Sequence, residues 1–398
     1  MTVPEQVEVA VVGAGPTGLT LGCVLRQAGV DVLVADRAAV GTKESRAAVV
    51  HARTLEALDD IDVTRRMVAE GGQVPVFTLR SGTRRLARID FAGLPTRYPY
   101  TLMLPQSRTE AILAARLAEL GGQPERPYTA TGVTGDAAGA ALTLAGPDGS
   151  AHTVRARYVV GADGLHSTVR QQAGIGFTGG RYDQAFVLAD VKMDWPLPAA
   201  EVQLFLSPAG LVVVAPLPGG HHRIVATMDD APETVTGADV QALLDERGPG
   251  SVHVHDLAWG SRFRVHHQVA DDYRRGRLLL AGDAAHVHSP AGGQGMNTGI
   301  QDAVDLGYTL AGVLRGGQPE SSLDGYQRRR RPVAQQVVRL TDRATRMATL
   351  SNPVARMARN ALIELVGHVP AARRRIALQL AELTVAPYAA GPSVETVT

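Results

Sequence analysis

The sequence predicts an α/β protein in which a Rossmann-like nucleotide-binding domain carries an inserted antiparallel β-sheet domain and ends in C-terminal helices. Three observations predict this. Val7 to Val12 is an apolar, mostly β-branched run followed by Gly13-Ala14-Gly15-Pro16-Thr17-Gly18 and a helical stretch, the order of a βαβ unit. Two more short apolar runs, Tyr158 to Val160 and Leu278 to Leu280, each lead into an Asp- and Gly-containing turn and read as strands buried on both faces. The stretch 179–269 between them is strand-rich and punctuated by turn residues.

Taken in order, Leu19 to Ala28 fits a helix closed by Gly29, and Val30 to Ala35 a second buried strand ending at Asp36. A helix is expected over Arg53 to Ala69, stopping at Gly71-Gly72. Short strands run from Val74 to Phe91 around a Ser81-Gly82 turn. Helical periodicity returns over Arg108 to Leu120 before Gly121-Gly122. Residues 126–157 read as small strands with Gly-rich turns. Further strands are expected at Ala185 to Val191, Val202 to Leu206, Leu211 to Leu217, Arg223 to Met228 and Val252 to Trp259, with a helix at Ala238 to Arg247. After Gln301 the pattern is helical. The corresponding division is 1–73, 101–178 and 270–310 for the discontinuous nucleotide-binding domain, 74–100 and 179–269 for the inserted sheet, and 311–398 for the helical end.

With 398 residues, the chain is long enough for two or three domains. Hydrophobic residues are 45% and charged residues 20%, which excludes a disordered chain. A formal charge of +1 provides no global attraction to nucleic acid or anionic membrane. All basic residues except Lys43 and Lys192 are arginine, a bias of composition. The single cysteine, Cys23, excludes an internal disulfide and a cysteine-based metal site. No basic leader and no apolar run of membrane-spanning length is evident, so a soluble cytoplasmic protein is expected.

The chemistry sits in the turns. Gly13 permits a tight turn, Gly15 lets a pyrophosphate approach the backbone, and Gly18 lets the helix pack on the strand. Thr17 and Gly18 N–H groups at a helix start attract phosphate, and Pro16 supplies the favoured first-turn residue. Asp36 lies 18 residues after Gly18, where a carboxylate reaches ribose hydroxyls and disfavours a 2′-phosphate. The dinucleotide is therefore FAD or NAD rather than NADP. Two later motifs choose between them: Gly161-Ala162-Asp163-Gly164-Leu165-His166-Ser167-Thr168-Val169-Arg170, and Gly282-Asp283-Ala284-Ala285-His286 continuing as Ser289-Pro290-Ala291-Gly292-Gly293-Gln294-Gly295-Met296-Asn297.

The set resembles the class A FAD-dependent monooxygenases, the flavoprotein aromatic hydroxylases related to para-hydroxybenzoate hydroxylase. Three separated motifs occur in that family's order, so the resemblance covers about the whole chain. It implies that Gly13, Gly15 and Gly18 hold the pyrophosphate of bound FAD, Asp36 the adenosine ribose, and that Arg37 lies beside the adenine. It implies that Arg46 reaches the phosphates, Gln106 lies near the ribityl chain, and Asp163 and Gly164 serve both FAD and NAD(P)H. Asp283 then binds a ribityl hydroxyl. Pro290 to Asn297, with Gly293, Gly295 and Met296, forms a loop under the isoalloxazine. Reduced flavin is anionic at N1, and a Gly-rich helix start offers unpaired N–H donors to it.

The implied function is hydroxylation of an aromatic small molecule, with O2 and NADPH or NADH as co-substrates and oxygen delivered from a flavin C4a-hydroperoxide. No protein nucleophile or metal is needed, so no catalytic side chain stands out. A polycyclic phenol of the kind met in polyketide tailoring or antibiotic inactivation is the favoured substrate. Its surface is expected around Phe186 to Val191, Gln203 to Phe205 and Leu211 to Pro216. A Baeyer–Villiger oxygenase and a non-catalytic flavoprotein that binds a metabolite are the competing readings. Two His pairs, His253 with His255 and His286 with His288, lack a converging ligand for a metal. The basic run Arg328 to Arg331 before Pro332 reads as a solvated helix start or a partner for acidic surface.

Overall fold

A computed structural model describes residues 3–41, 47–228, 231–350 and 352–384, excluding the side chains of 182–184. β1 (Gln6–Val12) is central, with Val9, Ala10 and Val11 wholly buried. α1 (Pro16–Gln27) begins three residues earlier than expected, because proline at a first turn has no helical N–H bond to lose. β2 (Val32–Ala35) follows, parallel to β1. Two elements that periodicity alone does not show come next: the two-residue strand β3 (Val49–Val50) and, later, β7 (Thr101–Met103). The expected single helix over 53–69 is two, α2 (Ala52–Asp59) and α3 (Thr64–Glu70). Asp62 between them is left-handed (φ 58°), and Thr64 Oγ1 donates to Leu55 O at 2.8 Å across the break.

β4 (Gly72–Val74) completes a small sheet in the order β3-β7-β4. β5 (Val76–Ser81) and β6 (Arg84–Asp90) form the expected hairpin, with Gly82 at φ +57°. α4 (Gln106–Glu119), β8 (Pro124–Glu125), β9 (Thr129–Gly135), β10 (Ala140–Ala145) and β11 (Ala151–Gly161) follow. β11 is one strand rather than two. Its first half alternates between exposed and buried while pairing with β10. Its last four residues are all buried, where it lies inside the parallel sheet beside β1. The first sheet thus runs β17-β18-β11-β1-β2-β8, with β17 (Arg274–Arg275) and β18 (Leu278–Leu280) at one edge. α1 packs between α4 and α7 (Gly295–Leu314). Cys23 is buried in α1, and desolvation pushes its thiol up to about 12.

The second sheet has the order β19-β16-β12-β15-β14-β13-β5-β6, antiparallel except between β13 and β5. Its members are β12 (Phe177–Asp194), β13 (Glu201–Ser207), β14 (Gly210–Leu217), β15 (His221–Met228), β16 (His253–Ala270) and β19 (His286–Val287), joined by β5 and β6. β16 continues eleven residues past the expected end at Trp259. Residues 260–268 are rich in Arg and His, and their apolar alternation is confined to Phe263 and Val265, too short to extend the strand by itself. α6 (Gly237–Arg247) covers one face of this sheet, over Val187, Ala189, Val191, Phe205, Val212, Val214, Ile224 and Ala226. By the two-residue period of a strand, only the alternate members of the expected substrate strands, among them Leu188, Leu204, Val213 and Ala215, lie on the opposite face.

α8 (Ser322–Ala348), α9 (Pro353–His368) and α10 (Pro370–Leu380) complete the chain. The run Arg328 to Arg331 is not a solvated helix start: it lies inside α8. Arg330 is 2% exposed and donates from Nε to Asp302 Oδ1 at 2.6 Å, while Arg329 pairs with the buried Asp305. The two carboxylates sit three residues apart as the only charged residues of α7, and the arginine run is what neutralises them.

Replacing Arg330 with Met leaves Asp302 buried with half of its compensation. Unfolding by urea is expected to lose about 3–5 kcal/mol. Arg330 and His286 hold the Asp302 carboxyl below its usual range against the opposing effect of burial. The wild-type contribution is therefore present at neutral pH and fades only on acidification through that lowered value. The Arg330→Met deficit should shrink in the same acid range.

Candidate functional site

Close backbone approaches bring the separate motifs to one cleft. A Cβ on Gly13 (φ +105°) would lie 2.3 Å from Ala162 O, so the first glycine turn rests directly on the Asp163-Gly164 turn. A Cβ on Gly18 would lie 1.8 Å from Gly13 O, which seats α1 on β1. Cβ atoms on Gly282 and on Gly299 would each lie 2.5 Å from Thr17 Oγ1, locking α1, the Gly-Asp turn and α7 together. Gly15 differs. Nothing stands within 4 Å of a Cβ there, and its backbone is extended (φ −78°, ψ −175°). The second glycine therefore faces open space at a helix start, the cradle a pyrophosphate requires.

The Asp36 carboxylate accepts from Ala14 N at 2.6 Å and Ala38 N at 2.8 Å, and Arg126 stands 3.3 Å away. Arg126 also donates to Ala14 O and Ala38 O, holding the end of β2 against the glycine turn. Its role is absent from the motif pattern; only its place after β8 in the fold reveals it. Arg37 is exposed. Arg46 lies outside the described residues. Gln106 opens α4, donating to Glu110 and accepting from Ala47 N.

Asp163 accepts from the N–H groups of Thr168 and Val169 and so caps α5 (Thr168–Gln172). Desolvation raises its pKa, and Oδ1 is buried without a partner among the described residues. Arg170, the last residue of that motif, donates to Leu165 O and Ala284 O and ties the two Asp/Gly turns. Asp283 is exposed in the short turn Gly282–Ala284. Behind it His286 Nε2 lies 2.6 Å from Asp302 Oδ2, which also accepts from Gly282 N.

The segment Pro290–Asn297 wraps the start of α7. Gly292 and Gly293 are left-handed (φ +82° and +65°), and a Cβ on Gly293 would strike Val49 at 2.7 Å. The Asn297 side chain donates to Val49 O and Gly293 O and accepts from His51 N, so it clamps the loop to β3. His51 is wholly buried, its Nε2 lies 2.8 Å from Gly292 O, and burial lowers its pKa to about 4. A neutral imidazole with the proton on Nε2 satisfies that contact. Pro290 and Met296 are half-buried beside this clamp. The N–H groups of Gly295, Met296 and Asn297 find no acceptor among the described residues, and no side chain caps this 20-residue helix. Three unpaired donors at the positive end of a long helix dipole suit the anionic N1–O2 edge of a reduced flavin. The residues present fit FAD.

His51, Gln294, Arg126 and Arg330 were missed in the motif reading. The available signal was the pair Asp302 and Asp305 in an apolar helix, which demands nearby cations. No helix among the described residues is long and apolar enough to cross a membrane.

The profile of the family described as FAD binding domain matches residues 6–341. The 12-dehydrotetracycline 5-monooxygenase/anhydrotetracycline 6-monooxygenase of Streptomyces rimosus is 39% identical over 393 residues, covering 95% of this chain and 76% of that protein. The pentachlorophenol 4-monooxygenase of Sphingobium chlorophenolicum is 34% identical over 347 residues, covering 83% of this chain and 63% of that one. Among solved structures, OxyS anhydrotetracycline hydroxylase from Streptomyces rimosus superposes with a TM-score of 0.81 at 38% identity, over 97% of this chain and 78% of that one. The p-nitrophenol 4-monooxygenase PnpA from Pseudomonas putida superposes with a TM-score of 0.86 at 28% identity, over 96% and 99%.

Gly15→Ala separates fold from cofactor. The added methyl meets no protein atom, so the unfolding midpoint should stay within about 0.5 kcal/mol of wild type. Retention of FAD, read from the flavin absorbance of the purified protein, should fall sharply.

Proposed function

Because the chain belongs to the FAD-dependent aromatic monooxygenases, we propose that it hydroxylates a polycyclic phenolic substrate, with reducing equivalents taken from NAD(P)H. The observation that carries this reading is the single cleft made by Gly15, the Thr17–Gly282–Gly299 contact and the uncapped start of α7. The polycyclic substrate class rests on the names of the Streptomyces relatives and on the apolar face of the second sheet. FAD, when bound, supplies the redox and oxygen-transfer chemistry.

The chain's own residues bind and orient. Gly13, Gly15, Pro16, Thr17 and Gly18 cradle the pyrophosphate, Arg46 is assigned to its phosphates, and Asp36 and Arg37 serve the adenosine half. Gln106, Asp163, Gly164 and Asp283 serve the middle of the cofactor. Pro290, Gly293, Gly295, Met296 and Asn297 carry the ring, the last three through their free N–H groups. Residues 1–73, 101–178 and 270–310 form the cofactor domain, and 74–100 with 179–269 the substrate domain. The pairing of β5 with β13 supports this division, since it draws 76–80 into the second sheet. On the face opposite α6, Leu188 offers the substrate an apolar wall that excludes water, while Leu204, Val213 and Ala215 pack with α10.

The test is a panel of polycyclic and monocyclic phenols with FAD-loaded protein, NADPH or NADH, and 18O2. A polycyclic phenol is expected to accelerate NAD(P)H oxidation and to emerge as a phenol carrying one 18O atom. Preference for a monocyclic phenol overturns the substrate class. A labelled lactone replaces hydroxylation with Baeyer–Villiger chemistry, and no stimulation by any compound leaves the metabolite-binding reading in its place.

A further inference from the structure

The last described residues of the chain close on the flavin-ring loop from behind. Leu380 O accepts from Gln294 Nε2 at 3.3 Å, at the N-cap of α7. Ala381 O accepts from Arg53 N at 3.2 Å, in the first turn of α2. The carboxylate of Glu382 accepts from Thr54 Oγ1 at 3.4 Å and from Gln301 Nε2, and Gln301 Nε2 also reaches Thr54 Oγ1 at 3.1 Å. Three consecutive residues thus bridge the start of α2, next to His51, and the first two turns of α7. Ala377 and Ala381 bury beneath them against Phe77, Met103, Val202 and Ala215, so the turn is fixed to the second sheet as well.

Glu382 is 3% exposed and left-handed (φ 60°), a conformation that a non-glycine residue keeps only where its surroundings over-determine it. Its Oε1 is buried and has no partner among the described residues.

We propose that the turn Leu380–Glu382 is a latch on the flavin-ring loop and that Glu382 is its positioning residue. Resting on the FAD reading above, the latch sets the register between α2 and α7, and thereby holds the free N–H groups of Gly295 to Asn297 where the ring edge needs them. Glu382 enters the latch as an uncharged acid, because an oxyanion with one bare oxygen would be costly there. The charged groups around it agree. Arg53 on α2 is taken by Glu56 at 2.6 Å, and Arg330 on α8 by Asp302 on α7. Desolvation raises the Glu382 pKa to about 8 against the opposing pull of those two arginines. A carboxyl raised in the folded state contributes stability below its unfolded value and loses it as pH climbs through the folded value. The latch therefore weakens as pH climbs from the ordinary carboxyl range to about 8, and weakens no further above it.

The experiment compares FAD-loaded wild type, Glu382→Gln and Glu382→Ala, reading the dissociation constant from recovered free-flavin fluorescence between pH 6.5 and 9.5. The wild-type constant should rise up to about pH 8, by at most about tenfold per pH unit for one proton released, and level off above it. Glu382→Gln, an uncharged isostere, should stay flat across the whole range, at or below the tightest wild-type value. Glu382→Ala should bind more weakly at every pH without a break. A wild-type profile that is flat and coincides with Glu382→Gln overturns the latch. Wild-type protein that binds no flavin removes the function proposed above instead. The melting temperature of the apo-protein then decides the latch, which requires wild type to fall increasingly below Glu382→Gln as pH rises to about 8.

Discussion

The Asp302 carboxylate, buried between α7 and α8, is the interaction on which the rest of the structure depends. It binds Arg330, His286 and Gly282 N at once, and so joins the helix beneath the ring loop, the long C-terminal helix and the Gly-Asp turn. A buried charge held from three sides leaves the turn no freedom to drift, because moving any one partner strands the others in low dielectric. The glycine contacts around Thr17 are the steric counterpart. They bring backbone to backbone only because Gly282 and Gly299 lack a side chain.

This explains what was legible in the sequence. Gly13, Gly15 and Gly18, the Asp163-Gly164 turn and the run from Gly282 to Asn297 are local patterns whose spacing reflects a local steric need, so they read directly. Arg126, His51 and Glu382 act across the fold. Thr54 and Glu382 are 328 positions apart, and no periodicity connects them. The basic run at 328–331 was misread for a related reason. Its composition is that of a surface, and only the partners on α7 draw Arg330 inside. The later half of β16 is hard to read because its alternation rests on Phe263 and Val265 alone, among Arg and His residues.

The ring loop illustrates how a mobile-looking composition becomes a fixed shape. Pro290–Asn297 is rich in glycine, yet Asn297 uses both ends of its amide on β3 and its own loop, and His51 holds Gly292 from a dry interior. The polar atoms of these side chains are largely occupied by protein. What is left for a ligand is backbone N–H, which no substitution except to proline removes.

β16 runs out of the second sheet as far as Ala270, whose N–H donates to Ala285 O at 2.7 Å beside the Gly-Asp turn. One continuous strand therefore measures the distance from the wall of one chamber to the hinge of the other. Gaining or losing a single residue along 260–270 would have to be taken up in a bulge, as the β12–β16 pairing already does, or it would invert every later side chain. Diversification of such a scaffold falls to swapping side chains in situ, and length changes to the bulges and turns.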